Sequence, residues 1–179
     1  RDQQNRGCAM NTAYELAKAE VGTVEWAKGS NPKVVAYYKD AGHPEIVDDA
    51  TAWCAAFVGA MLRRSGQAGT GSLAARSYLQ WGKAVDLDDA KPGDIVVFKR
   101  GNSSWQGHVA FYVSHDAGTI AVLGGNQRDA VTVAKYGRVS LLGIRRAALP
   151  SKPSPQKPDV KPAPSFWARL IAMIFGGRK

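Results

Sequence analysis

From Cys54 onward, apolar side chains recur at Phe57, Val58, Met61 and Leu62, offsets of 3, 4, 7 and 8. That spacing draws one inward stripe on an α-helix, and a chain carrying it must supply a second layer to cover the stripe. Gly66 stops the helix, and Arg63 and Arg64 set positive charge in the last turn, where the dipole is negative. The helix is expected to start near Trp53, with Asp49 or Thr51 as N-cap. Cys54 then lies in the first turn on the core-facing side. Free backbone N–H groups and the dipole favour a thiolate there, so a pKa below the roughly 8.5 of a free thiol is expected. A buried cysteine also serves as a small apolar filler. A nucleophile needs a base and an orienting group, and both must come from elsewhere in the chain.

Upstream the pattern is also helical. Thr12 to Glu15 has capping-box spacing, and a helix to about Val21 follows. Asn31-Pro32 starts a second helix ending at Gly42, and Ser72 caps a short fourth one carrying Leu73, Tyr78 and Leu79. After the Lys91–Asp94 turn the period falls to two. Strands are expected at 95–98, 108–114, 119–123, 131–134 and 139–145, with Trp105 on the loop between the first two. Helices followed by an antiparallel meander of about five strands is an α+β arrangement.

With 179 residues, 45% of them hydrophobic, the chain is long enough for one domain with a core plus an appendage. Its net charge of +9 is uneven: residues 150–179 hold six Lys/Arg against one Asp. Such a balance points to an anionic partner, and no basic-aromatic helix or known module makes that partner nucleic acid. Two cysteines make no disulfide framework. The chain begins with Arg, and Met10 reads as a natural start, so residues 1–9 are expected to be a non-native extension. The folded domain is expected over 10–149. No signal peptide or membrane-spanning run is recognised, so any export is expected to need another route, such as a pore or lysis.

His108 follows Gly107 at a strand edge, sharing its face with Ala110, Tyr112 and Ser114. It can approach the Cys54 helix as general base, or serve as a structural histidine. His43 and His115 fit poorly as bases and are taken as structural or exposed. Asn126, just past a strand, can hold the imidazole tautomer as the third member of a Cys-His-Asn set. It equally suits a turn at positive φ, with Gln127 as substitute orienter.

Cys54, the run Gly93–Phe98, the run Gly107–Tyr112 and the run Gly124–Gln127 together resemble the CHAP and NlpC-type cysteine hydrolases of bacterial cell walls, most like the branch common in phages and prophages. Glu20–Glu25, Asn31-Pro32 and Thr70–Ser72 add to the likeness, which spans about Tyr14 to Arg146. The resemblance implies a papain-like α+β fold and hydrolysis of a peptidoglycan amide bond, with Cys54 as nucleophile, His108 as base and Asn126 as orienter. Many family members carry Glu two places before that Asn, where this chain has Gly124. Trp53 and Trp105 are candidate groove residues, with Gln127 beside them, although an aromatic near a core helix more often serves as packing. No cofactor is implied, and Asp86, Asp88 and Asp89 lack the Gly and final Glu of a calcium loop. An antibacterial effector of the same chemistry, or a wall-binding module whose Cys and His are relics, is the alternative.

Residues 150–164 hold six of the nine prolines and read as a semi-rigid linker. In the tail, 165–179, nine of the ten residues 166–175 are apolar. A helix there reaches about 15 Å, half of the roughly 30 Å a bilayer core requires. An interfacial element is expected, with Phe166, Trp167, Leu170, Ile171, Ile174 and Phe175 inserting into an anionic bacterial membrane or lipopolysaccharide surface. Docking onto the catalytic domain or onto a second copy is the competing role.

Overall fold

The computed structural model describes residues 12–148. The extension 1–9, the linker and the membrane-binding tail expected from sequence lie outside the described residues.

Three helices come first. Thr12 Oγ1 accepts from Glu15 N–H at 3.2 Å and opens α1 (Ala13–Ala19). Asn31 Oδ1 accepts from Lys33 N–H at 2.9 Å to open α2 (Pro32–Ala41), which stops at Gly42, with φ of 103°. The third, α3 (Cys54–Arg64), departs from expectation at its start. Neither Asp49 nor Thr51 caps it. Asp49 accepts from Asn31 N–H at 2.9 Å, and the Thr51 carbonyl is taken by the Tyr38 hydroxyl. Trp53 occupies the cap position with no side-chain bond to the helix.

The stripe read from the sequence is narrower than what the fold buries, because every residue from Cys54 to Leu62 is covered. Small side chains on the remaining faces let neighbours come close. A Cβ placed on Gly59 would meet Ala41 Cβ at 3.1 Å and the Tyr78 hydroxyl at 3.2 Å. Tyr78 belongs to a 3-10 turn (Ala75–Gln80) where the fourth helix was expected.

Six strands follow: β1 (Lys83–Val85), β2 (Ile95–Lys99), β3 (Gly107–His115), β4 (Thr119–Gly124), β5 (Thr132–Gly137) and β6 (Leu141–Arg146). Their order is β1-β6-β2-β3-β4-β5, antiparallel throughout. The simple meander of five therefore needs two corrections. β1 is an extra three-residue strand, too short and polar to read by pattern. β6 crosses back to lie between β1 and β2 instead of beside β5.

One sheet face, with Ile95, Val97, Val109, Phe111 and Leu123, joins the helices in the main core; there Phe57 meets Phe111 and Tyr37 edge-on. The opposite face buries Val96, Phe98, Ala110, Tyr112, Ile120, Val122 and Ile144 under Tyr136 and Leu141. Burial on both faces explains the unbroken apolar run Ile95–Phe98. Each such side chain contributes about 1.5–3 kcal/mol. At one end of the sheet Arg146 grips the buried Asp94 carboxylate with two bonds of 2.7 Å, and its Nη2 also donates to the Asp89 carbonyl at 2.9 Å.

Candidate active site

Four segments meet at the other end of the sheet: the head of α3, the start of β3, the turn after β4 and the length of β5. The first intrahelical bond of α3 is Phe57 N–H to the Trp53 carbonyl at 2.8 Å, so the N–H groups before Phe57 have no helical acceptor, and the Trp53 side chain does not cap them. Cys54 is the residue at that mouth, only 6% exposed.

The loop leading to His108 is fastened from below. Arg76 donates to the Gln106 carbonyl at 2.7 Å and to the Ser103 carbonyl at 2.6 Å. Gly107 allows the close approach this needs, since a Cβ there would lie 2.9 Å from the Phe98 carbonyl oxygen. The imidazole then stacks on Tyr136 at 5.0 Å and 26°, and Tyr136 stacks on Phe98 at 4.8 Å and 22°.

His108 Nε2 lies 3.2 Å from Gln127 Oε1. The Gln127 amide nitrogen donates to the carbonyls of Thr132 and Gly124, so its oxygen must be the atom facing the ring. Nε2 therefore carries the proton, and Nδ1 keeps its lone pair. Gly124 makes room for this. A Cβ at 124 would sit 2.8 Å from Ala110 Cβ and 3.4 Å from both His108 Nε2 and Gln127 Cδ. A side chain at 124 has no space here, and the Gln127 side chain reaches the ring.

Asn126 makes no hydrogen bond to the imidazole. It is half-buried with φ of 55°, the turn role weighed for it in the sequence. Trp53 is fully buried, tilted 30° against Tyr37 and edge-on to Phe57, with its indole N–H donated to Glu25. It packs the core and lines no groove, because the turn at Gly125 presses directly on its ring. Trp105 is 72% exposed on the fastened loop. His43 bonds Glu45 and the Gly71 carbonyl, and His115 bonds the Tyr112 hydroxyl. Two groups went unread in the sequence. Tyr136 was missed because β5 was ended at Ala134; extended to Gly137, its parity puts Tyr136 on the face of Thr132. Arg100 follows β2 and gave no periodic signal.

The electrostatics differ from the expected thiolate. Burial pushes the Cys54 thiol up from its ordinary value, while the Val109 and Ala55 N–H groups and the Arg100 charge pull it down. Desolvation outweighs the helix end because the sulfur is shut away from water. Burial likewise pushes the His108 imidazole down to about 4, against the Gln127 hydrogen bond and with help from Arg100. Burial raises the Tyr136 phenol, the Cys54 charge adds to that, and Arg100 opposes it. All three groups thus feel the same Arg100 guanidinium, and the phenol also feels the Cys54 charge. At neutral pH the resting pair is a neutral thiol and a neutral imidazole.

A sign follows for pH. An unfolded imidazole titrates near 6.5 and the folded one near 4, so between these values the unfolded chain binds more protons. Stability from this group is complete above 6.5 and falls as pH drops towards 4, by about 3 kcal/mol at most. Melting temperatures between pH 4 and 7 should show that loss in the wild type and not in His108→Gln. The acid limb of kcat/KM should lie near pH 4 rather than 6.5.

Among the described residues, no three His, Cys, Asp or Glu side chains converge as metal ligands would. Residues 46–126 match the CHAP domain family, a span that takes in Cys54, His108 and Asn126 and ends one residue short of Gln127. Among solved structures the chain is similar to the peptidoglycan hydrolase RipB from Mycobacterium tuberculosis, at 18% identity and a TM-score of 0.48. That likeness covers 76% of this chain and 63% of the other. No curated protein matches the chain.

Proposed function

We propose that the chain is a peptidoglycan hydrolase that cuts an amide bond of the stem peptide through Cys54, His108 and Gln127. The observation that carries this reading is the His108–Gln127 hydrogen bond at the head of an uncapped helix that begins with cysteine. A match to the CHAP domain over residues 46–126, which takes in Cys54 and His108, supports it.

The chemistry starts from the neutral pair. Nδ1 of His108 takes the Cys54 proton as the sulfur attacks the carbonyl, and Gln127 stabilises the imidazolium through Nε2–H. The oxyanion forms beside the Cys54 N–H, one of the unpaired donors of α3, which is already aimed and needs no reorganisation. The imidazolium then returns its proton to the leaving amine. A water activated by the same nitrogen releases the acyl group. A dry site suits this route, since charge appears only when the substrate has excluded water.

Within this reading the chain acts as a phage-type endolysin, reaching the wall from the host cytoplasm, and residues 165–179 work at an anionic membrane surface. The test uses the full chain on purified peptidoglycan, with mass spectrometry of the released fragments. New amine and carboxyl ends at one stem position are expected. Wall that binds the protein but yields no fragments would leave a binding module instead. Deleting residues 150–179 should leave that hydrolysis unchanged and weaken binding to anionic vesicles. Equal vesicle binding by both forms would reassign the tail to docking or self-association.

A further inference from the structure

A groove of about 580 Å³ runs along β5, lined by Gln127, Arg128, Thr132, Lys135 and Tyr136 among others. Two of these, Gln127 and Tyr136, are the side chains that hold His108, so the groove lies one side chain away from the imidazole, which does not itself line it. Its charged lining residues are Arg128 and Lys135; no Asp or Glu lines it. We infer that this groove is a carboxylate-binding subsite, in which Arg128 and Lys135 select the acidic portion of the peptide whose amide bond Cys54 attacks. The inference rests on the hydrolase reading and names which part of the substrate the enzyme grips.

Two further observations support it. Arg128 and Asp129 are the central residues of a two-residue turn, closed by Gln127 N–H to the Ala130 carbonyl at 2.9 Å. Their φ angles are 55° and 61°, a conformation that favours Gly or Asn at both places. An arginine is held here against its backbone preference, as side chains at working sites often are. Among the described residues its guanidinium makes no hydrogen bond or ion pair, so a ligand has no internal partner to displace.

Lys135 is nearly as available. Its ammonium reaches Asp116 at 3.5 Å, and both side chains are mostly exposed. Such a pair contributes little. Asp116 is already satisfied by Gly118 N–H at 2.9 Å, Thr119 N–H at 2.7 Å and the Thr119 hydroxyl at 2.8 Å. Losing Lys135 to a substrate leaves no carboxylate stranded.

The experiment uses one peptidoglycan preparation in two forms, with stem carboxylates free or converted to amides by carbodiimide and ammonia. The wild type should cut the free form at least about tenfold faster, the worth of one charge-assisted pair. In Arg128→Gln/Lys135→Gln that ratio should fall close to one. Arg128→Gly, which relieves the positive φ, should melt higher than the wild type and still lose most of the preference. Equal wild-type rates on both forms, or an unchanged ratio in the double variant, would overturn the subsite while leaving the hydrolase reading intact. A wild type that cuts neither form would overturn both.

Discussion

Cys54→Ala is expected to abolish hydrolysis of purified peptidoglycan while the domain stays folded. The sulfur is the only atom removed, and the site around it is roofed by β3 and by the neighbouring helices. Filling is therefore lost on the scale of a single buried group, about 1 kcal/mol, which leaves circular dichroism and melting close to wild type. Activity has no substitute route. Removal of a covalent nucleophile costs on the order of 10⁶ in kcat when nucleophile and base act as a unit. For the same reason His108→Ala should be about as damaging, and the double variant no worse than either single one. Fragment release by a clean Cys54→Ala preparation would end the cysteine mechanism.

Gln127→Ala comes second in size, and its comparison with Asn126→Ala decides the third member. Without the Gln127 oxygen, Nε2–H has no acceptor, the tautomer is no longer fixed and the imidazolium formed during attack is unsupported. A wrong or wandering tautomer in a comparable triad costs up to about 10⁴ in kcat, so a loss of at least about 10² is expected. Asn126→Ala should stay within a few-fold of wild type in rate. Its cost falls on stability, about 1 kcal/mol for a Cβ-bearing residue less suited than Asn to a φ of 55°. Gln127→Glu adds a separate readout: a carboxylate facing Nε2 favours the imidazolium and should move the acid limb of kcat/KM upward. Should Asn126→Ala prove the more damaging of the two, the orienter belongs at 126.

How legible each part was depended on how local its cause is. The caps of α1 and α2 were readable because Thr12, Asn31 and Pro32 act within three residues of themselves. The cysteine helix and the His108 strand followed from periodicity, which reports a buried face without naming its partner. The orienter was not readable in this way. Asn126 and Gln127 are neighbours in a turn, and the choice between them rests on Gly124, whose missing side chain opens the path to the ring. Trp53 is a groove candidate in sequence because it adjoins Cys54, yet its ring points into the main core. The thiol's resting charge was misjudged because a helix start is visible in sequence and desolvation is not. β6 leaves the meander through a pairing that no segment announces by itself.

The place of β6 also has a mechanical side. The described chain ends just after this strand, and β6 has a neighbour on each flank, β1 and β2. Tension applied beyond Ala148 enters an inner strand lengthwise, so the backbone bonds on both flanks share the load in shear and do not unzip one after another. At the point of entry sits Arg146, clamped to Asp94 and Asp89. A pull on the C-terminal end of the domain therefore meets a clamped inner strand first, and Cys54 and His108 lie at the opposite end of the sheet.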